Sequence, residues 1–163
     1  MFDLGYQLLT NRRTQLGTHL LVSANNDEAA LTEQGFTVLE LKKAADSLKI
    51  SLDLYSNNSK NVATDVLLVY RDACIQRFEY CIELSWKISM KSLGLNTKAA
   101  KPAIREMARN DLISNPELWL AFIEARNNSS HAYDEDIAQK VFKQIELFFV
   151  EVTSLLQKLE KQS

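Results

Sequence analysis

The sequence contains few residues that interrupt helices. Its 163 residues include only four glycines and two prolines, too few turn signals for the many short strands of a β-sandwich or β-barrel. A chain of this length forms about one domain and can bury a hydrophobic core. Hydrophobic residues make up 46% and charged residues 25% of the chain, a composition typical of globular proteins. An all-α fold is therefore predicted.

Long apolar runs are also missing, and the first residues do not predict a secretory leader. No apolar run approaches the roughly 20 residues needed to cross a bilayer. The start of the chain, with Asp3, Arg12 and Arg13, does not have the layout of a signal peptide. We therefore expect a cytoplasmic protein with no membrane contact.

Metal ligands are scarce as well. The two cysteines, Cys74 and Cys81, would lie about 10 Å apart along one helix, too far for a disulfide, and we expect reduced core residues. Neither has a histidine or a second cysteine nearby in the sequence, so we predict no metal site and no cofactor. His19 lies in an amphipathic segment and is interpreted as structural, which leaves His131 as the candidate for chemistry.

The overall charge gives no general signal for nucleic-acid binding. The formal net charge is -2 and the pI is about 5.7, whereas nucleic-acid-binding domains usually carry a basic patch. Residues 87–109 form one local basic stretch that contains a single acid, Glu106. A solvated helix face is the ordinary interpretation of such a stretch, and a local nucleic-acid contact is the alternative. Its basic residues are Lys87, Lys91, Lys98, Lys101, Arg105 and Arg109.

Hydrophobic periodicity predicts a series of helices joined by polar connectors. We expect helices over about residues 3–23, 36–55, 62–93, 102–109, 115–126 and 134–159. Gly94 marks the end of the longest helix as a left-handed C-terminal residue. Asn115 and Pro116 form a cap and a first turn, and Asp134, followed by two more acids, begins the last helix.

The helix predicted over residues 62–93 has a polar stripe and two apolar flanks. Its polar stripe is formed by Asp72, Gln76, Glu79, Glu83 and Lys87. The second apolar flank is formed by Leu68, Ile75, Ile82 and Trp86. Two apolar flanks imply two packing partners, one within the chain's own bundle and one in a second subunit, because a wide exposed apolar face is otherwise unfavourable. A homodimer is therefore a hypothesis.

His131 lies in a polar connector between two predicted helices, where functional side chains are commonly presented. Asn127 and Asn128 are expected to take left-handed conformations that reverse the chain. Arg126 and His131 could then converge, and the positive end of the last helix would suit His131 as a general base. Asn127 and Ser130 are possible helpers that orient the imidazole or contact phosphate, although turn formation is their more common role.

The segment Arg126-Asn-Asn-Ser-Ser-His131-Ala-Tyr133 resembles the R-x4-H-x-Y signature of HEPN proteins. The stretches at residues 71–87 and 115–119 look like helical blocks of the nucleotidyltransferase substrate-binding family within that group. The resemblance covers about residues 36–160. We therefore divide the chain into an N-terminal helical extension, residues 1–35, and a HEPN-like domain, residues 36–163.

The resemblance implies an antiparallel bundle of four or five helices that dimerises and pairs with a minimal nucleotidyltransferase, often as a toxin and its antitoxin. It also implies a metal-independent ribonuclease acting on RNA. Arg126 would stabilise charge on the phosphate, and His131 would handle the proton of the attacking ribose 2'-hydroxyl. Tyr133 would accept AMP from the partner enzyme, and the added bulk and negative charge would block RNA.

Two alternatives to a ribonuclease stay open. The first is a noncatalytic subunit that presents a substrate to the nucleotidyltransferase, and the acidic pI favours it because RNA affinity depends on neutralising phosphates. The second is a purely structural adaptor. The chain itself is not expected to transfer nucleotides, because no Gly-Ser phosphate loop precedes the acids at residues 134–136.

Overall fold

The computed structural model describes residues 37–162, which form five α-helices with no β-strand among them. The helices are α1 (Val38–Asn58), α2 (Thr64–Ser92), α3 (Ala100–Arg109), α4 (Pro116–Asn128) and α5 (Glu135–Gln162). The prediction of an all-α helical bundle is confirmed. The helix predicted over residues 3–23 and His19 lie outside the described residues, and the domain boundary at residue 35 stays a prediction.

Helix α1 begins with a reciprocal cap. The backbone N–H of Thr37 donates to Glu40 Oε2 at 2.6 Å, and the backbone N–H of Glu40 donates to Thr37 Oγ1 at 3.3 Å. These two bonds satisfy donors that the first turn of a helix leaves without partners. Leu41, Ala44 and Leu48 then recur at helical spacing and are buried, so one face of α1 packs against α2 and α5.

Helix α2 is the spine of the bundle, because it contacts each of the other four helices. It ends where the sequence predicts, at a left-handed Gly94 with a φ of 65°. The N–H of Gly94 donates to the carbonyl of Lys91 at 3.0 Å, and the N–H of Leu95 donates to that of Met90 at 2.9 Å. These bonds close the last turn with the C-terminal pattern that favours glycine.

The starts of α3 and α4 show one correction and one confirmation. Helix α3 begins at Ala100, two residues before Pro102, because a proline in the first turn removes only an N–H that has no intrahelical partner. Helix α4 begins as predicted, with Pro116 in its first turn and the side chain of Asn115 accepting from the N–H of Leu118 at 3.1 Å.

The centre of the core is aromatic. Phe78, Trp119, Phe122 and Phe148 are fully buried, and their rings meet edge to face with centroids 5.1 to 5.8 Å apart. Such pairs stabilise a core by about 0.5–1.5 kcal/mol beyond the burial of their area. A stripe of hydrophobic residues on α5 is buried from the second turn of the helix onward and joins this centre. Its buried members are Val141, Ile145, Phe148, Val152, Leu155 and Leu159.

The second apolar flank of α2 does not need another subunit to cover it. Ile75, Ile82 and Trp86 are 5%, 0% and 7% exposed within a single chain. Only Leu68, near the start of the helix, is substantially exposed, at 36%. The inference of a homodimer from two apolar flanks was therefore wrong in its premise, because the helices of one chain surround α2 on both sides. The homodimer stays a proposal on other grounds.

Cys74 and Cys81 are free and buried in α2, as predicted for reduced core residues. Burial raises the pKa of the Cys74 thiol to about 11 and that of the Cys81 thiol to about 12, because an apolar interior disfavours the thiolate. Neither thiol is therefore set up for chemistry. Within residues 37–162, no helix combines the length and the hydropathy that a membrane span requires.

Candidate functional site

The residues of the signature lie where α4 passes into α5. Arg126 is in the last turn of α4, His131 ends a short 3-10 helix (Ser129–His131), and Tyr133 lies two residues before α5. The side chain of Arg126 is 43% exposed and Tyr133 is 88% exposed. His131 is exposed too. All three therefore face solvent and can meet a ligand.

The prediction of left-handed conformations for Asn127 and Asn128 was wrong. Asn127 and Asn128 are in the last turn of α4, and Asn128 has a φ of -79°. The chain instead turns through two backbone hydrogen bonds, each between residues three positions apart. The N–H of Ala132 donates to the carbonyl of Ser129, and the N–H of Asp134 donates to the carbonyl of His131, both at 3.0 Å. A 3-10 turn of this kind reverses direction without any residue of positive φ.

Asp134 is the cap of α5, as predicted. Its Oδ1 accepts from the N–H groups of Asp136 and Ile137 at 3.0 and 3.1 Å, which satisfies two donors of the first turn. Glu135 and Asp136 add negative charge at this positive helix end. The acids at residues 134–136 therefore have structural roles, and the residues described contain no cluster of ligands that could hold a metal ion.

Three side chains of α2 anchor the signature segment, residues 126–133, and the first residue of α5. The Glu83 Oε1 lies 3.5 Å from Arg126 Nε, and the carboxylate of Glu79 accepts a hydrogen bond from the Ser129 hydroxyl. The Arg71 Nη1 donates to both carboxylate oxygens of Glu135 at 2.7 Å. Sequence reasoning placed Glu79 and Glu83 on a polar stripe of α2 but gave them no function. Their spacing of four residues was the available signal, because it keeps both carboxylates on one face of the helix.

The ion pair at the start of α5 joins a buried arginine to a largely exposed glutamate. The side chain of Arg71 is only 10% exposed, whereas that of Glu135 is 58% exposed. The hydrogen bond from Arg71, followed by one from Gln139, lowers the pKa of Glu135, since both stabilise the carboxylate. Because it joins residues 64 positions apart, the pair fixes the start of α5, and with it Tyr133, against α2.

A groove of about 440 Å³ runs along α2 beside Tyr133. We call it the Tyr133 groove; its polar lining includes Arg71, Gln76, Glu79 and Tyr133. The ring of His131 meets that of Tyr133 edge to face, with centroids 6.3 Å apart. In the described part of the chain no hydrogen bond or ion pair joins Arg126 to His131, whereas the rings of His131 and Tyr133 are in contact.

The two possible helpers, Asn127 and Ser130, differ in the hydrogen bonds of their side chains. The Ser130 hydroxyl donates to the carbonyl of Asn127 at 3.1 Å, an ordinary way for serine to close a turn. The side chain of Asn127 is exposed and contacts no other residue of the signature through a hydrogen bond within residues 37–162. These contacts favour a structural role for Ser130. Ser129, which was not singled out from the sequence, is the buried serine that holds the turn.

Residues 37–161 match the family model described as "Nucleotidyltransferase substrate binding protein like". The chain belongs to this family. A relative from Haemophilus influenzae, named probable ribonuclease HepT, is 32% identical over 111 residues, which are 63% of this chain and 74% of the relative. The match confirms the resemblance on which the sequence interpretation depends.

Two solved structures share the fold of this substrate-binding family member. The structure of a Haemophilus influenzae protein is described as revealing the fold of a substrate binding domain of a nucleotidyltransferase. It matches this chain with a TM-score of 0.67 and 28% identity. That alignment covers 76% of this chain and 99% of the other. A protein from Thermus thermophilus has a TM-score of 0.62 and 28% identity, over 73% of this chain and 98% of the other. The shared part is therefore nearly the whole of each solved chain.

Proposed function

We propose that this protein is a metal-independent endoribonuclease that acts as the toxin partner of a minimal nucleotidyltransferase. The observation that carries the proposal is the segment from Arg126 to Tyr133, which is anchored to α2 while its functional side chains stay exposed. A purely structural connector has no need of exposed Arg, His and Tyr side chains on a fixed base. The name of the Haemophilus influenzae relative, probable ribonuclease HepT, supports the same activity.

The proposed reaction needs only groups that the signature supplies. His131 takes the proton from a ribose 2'-hydroxyl, whose oxygen attacks the adjacent phosphorus while the bond from phosphorus to the 5' oxygen breaks. Arg126 stabilises the negative charge that builds on the phosphate. The leaving 5' oxygen takes a proton from an imidazolium, so the products are a 2',3'-cyclic phosphate and a free 5'-hydroxyl. No redox partner or metal ion is required by this balance.

A homodimer would complete the site. One chain contributes a single Arg126 and a single His131, and no hydrogen bond or ion pair joins them in the described residues. Two copies related by a twofold axis would bring two arginines and two histidines to one cleft, since a twofold interface presents the same patch from both subunits. One histidine could then remove the 2'-hydroxyl proton while the other protonates the leaving 5' oxygen.

Tyr133 is proposed as the residue that accepts AMP from the partner nucleotidyltransferase. Its side chain is the most exposed of the large hydrophobic residues described, at 88%, and its ring adjoins that of His131. AMP on the phenol oxygen would place a phosphodiester and a nucleoside beside the histidine. RNA would then be excluded by occupied volume and by repulsion between like charges.

A noncatalytic role is the second candidate, and the family itself favours it. The family model and one solved relative are described by the binding of a nucleotidyltransferase substrate. The Tyr133 groove would then hold part of that substrate, with Tyr133 presented to the partner enzyme. This candidate predicts partner-dependent modification of the chain without RNA cleavage.

The deciding experiment is RNA cleavage in EDTA by purified wild type, Arg126→Ala and His131→Ala, with the intact mass of each recorded first. The mass measurement ensures that no AMP already blocks Tyr133. We expect the unmodified wild type to cleave and both variants to lose cleavage, because each lacks a group that acts on the reacting atoms. His131→Ala also controls for contaminating ribonucleases, which would survive that substitution.

Unmodified, dimeric wild type that leaves a broad panel of cellular RNA intact would refute the ribonuclease. The same preparations, incubated with the nucleotidyltransferase and ATP, test the second candidate. Modification of wild type but not of Tyr133→Phe is expected under both candidates. Modification without any cleavage would identify the substrate-presenting subunit.

A further inference from the structure

A second groove lies between α1 and α2. It has a volume of about 470 Å³, within the roughly 300–1,000 Å³ of sites that bind small molecules. We call it the Tyr80 groove. No residue of the signature segment lines it, and the proposed reaction does not use it. The residues that line it include Glu40, Lys43, Ser47, Gln76, Arg77 and Tyr80.

Arg77 is held beside this groove by neutral groups. Its Nε donates to the hydroxyl of Ser47 at 3.0 Å, and its Nη1 donates to the carbonyl of Ala73 at 3.2 Å. These bonds fix the guanidinium without neutralising its charge. The Nη2 group forms no hydrogen bond with any described residue. A guanidinium presents five N–H donors in a rigid fork, so Arg77 keeps oriented donors for an anion.

The lining of the Tyr80 groove has a net positive charge. Lys43 and Arg77 are cationic, and neither forms an ion pair with an acid within residues 37–162. Glu40 is the one acid among the described residues that line the groove. Its carboxylate already accepts from the backbone N–H of Thr37 at 2.6 Å, in the cap of α1. Two bases against one acid leave an excess of one positive charge, which favours an anionic ligand.

Tyr80 adds an exposed aromatic ring to the two cations. The residue is 56% exposed, and within residues 37–162 its ring forms no aromatic pair and no cation–π contact. A single exposed tyrosine is ordinary on a protein surface, but this one lines the same groove as Lys43 and Arg77. Proteins bind nucleotides with this combination, because the ring stacks on a base while the cations contact phosphate.

Gln76 places the Tyr80 groove beside the Tyr133 groove, because this residue lines both. The two grooves differ in charge. Three acids line the Tyr133 groove, Asp72, Glu79 and Glu135, together with one base, Arg71. An anion is therefore favoured on the Tyr80 side of Gln76 and disfavoured on the other side.

We propose that the Tyr80 groove is a binding site for a single nucleoside phosphate. The phosphate lies between Lys43 and Arg77, and the base stacks on Tyr80. The excess of one positive charge suits one phosphate group rather than the many phosphates of a strand. Stacking on an aromatic ring tolerates any base, so the site selects the class of ligand and not the base. This site goes beyond the proposed function and does not depend on RNA cleavage.

Isothermal titration calorimetry of the full chain with AMP and with adenosine tests the proposal, because these probes differ only in the phosphate. Lys43→Gln removes one of the two phosphate contacts, and Tyr80→Ala removes the stacking surface. Their matched controls are Lys143→Gln and Val150→Ala, at an exposed lysine and an exposed apolar residue of α5. Circular dichroism confirms that each variant is folded.

We expect wild type to bind AMP more tightly than adenosine. Lys43→Gln should weaken the binding of AMP several-fold and leave that of adenosine unchanged, because only AMP has a phosphate for the lysine to contact. Tyr80→Ala should weaken the binding of both probes by at least about fivefold, because both lose the ring on which the base stacks. The two control variants should bind both probes as wild type does.

Wild type that binds no AMP at millimolar concentration would overturn the proposal. Equal losses of AMP and adenosine affinity in Lys43→Gln would also overturn it, because the lysine would then not contact the phosphate. Loss of AMP binding in Tyr133→Ala, with full binding by both groove variants, would overturn it as well and assign the nucleotide to the Tyr133 groove. None of these outcomes depends on whether wild type cleaves RNA, so this proposal and the ribonuclease can fail separately.

Discussion

The two ends of α4 show contrasting ways of fastening a turn between helices. The turn before α4 is held by apolar burial: Leu112 and Ile113 are 1% and 6% exposed, and Asp111 takes a left-handed φ of 58°. The turn after α4 is held by polar anchors from α2, and the side chains of Arg126, His131 and Tyr133 stay in solvent. Burial fixes a backbone by hiding its side chains, whereas anchors fix it and leave them available. A turn that presents chemistry requires the second arrangement.

The largest expected effect on stability is at the buried turn. Leu112→Ala should lower the free energy of unfolding by about 2–5 kcal/mol, because it removes buried methyl groups and leaves a cavity. Cleavage per folded molecule should be unchanged, since the substitution is not at the signature. Urea denaturation measures the free energy of unfolding, and the cleavage rate divided by the concentration of folded protein measures the activity. A large loss of cleavage rate in fully folded Leu112→Ala would show that the two turns are coupled.

The next largest effect is at Ser129, whose hydroxyl donates to the Glu79 carboxylate and lies 2.6 Å from the carbonyl oxygen of Arg126. Ser129→Ala should lower the free energy of unfolding by about 1.5–3 kcal/mol, because hydrogen bonds to charged groups are worth that much. Cleavage should fall more than stability predicts, since the turn that carries His131 loses its anchor. A double-mutant cycle with Glu79→Gln measures the coupling, and additive effects would contradict the anchor.

The third effect depends on pH and involves the ion pair between Arg71 and Glu135. The hydrogen bond from Arg71 lowers the folded-state pKa of Glu135 below its usual 4.5. The pair therefore contributes stability that is fully present above that pH and is lost as the pH falls through the lowered pKa. The melting temperature of Glu135→Gln should lie below that of wild type at neutral pH, and the difference should shrink in more acidic buffer.

The matched control for that titration is Glu117→Gln, at an acid in the first turn of α4. It removes the same charge near a helix start without breaking a bond to a buried arginine. At neutral pH, the melting temperature of Glu117→Gln should differ from that of wild type by less than the melting temperature of Glu135→Gln does. A pH-independent difference for Glu135→Gln would mean that the ion pair does not contribute to stability.

The smallest effect is expected at Ser130, the neighbour of Ser129. Its exposed hydroxyl bonds only to the carbonyl of Asn127 within the described residues, so Ser130→Ala should change stability by less than about 0.5 kcal/mol and leave the cleavage rate within about twofold. Steady-state kinetics check this. A large loss of kcat would instead restore Ser130 as a helper that contacts phosphate or the imidazole.

Local sequence signals predicted most of the helix boundaries correctly. Gly94, the Asn115 cap and the Asp134 cap each act within one turn, so their residues alone determine the local structure. The turn after α4 was predicted wrongly because its geometry depends on Glu79 and Arg71, which lie 50 and 64 positions from their partners. Single-sequence patterns contain no information on such distant pairs. For the same reason, the sequence suggested an outside partner for a flank of α2 that the chain itself covers.

Cys74 and Cys81 provide a built-in reporter of how often the bundle opens. Both thiols are buried in α2 and have raised pKa values, so a thiol reagent can reach them only after the spine separates from its neighbours. The rate of labelling under native conditions therefore follows the opening equilibrium, as amide hydrogen exchange does. Comparing that rate with and without RNA or the partner enzyme would show which ligand keeps the bundle closed, in untagged protein.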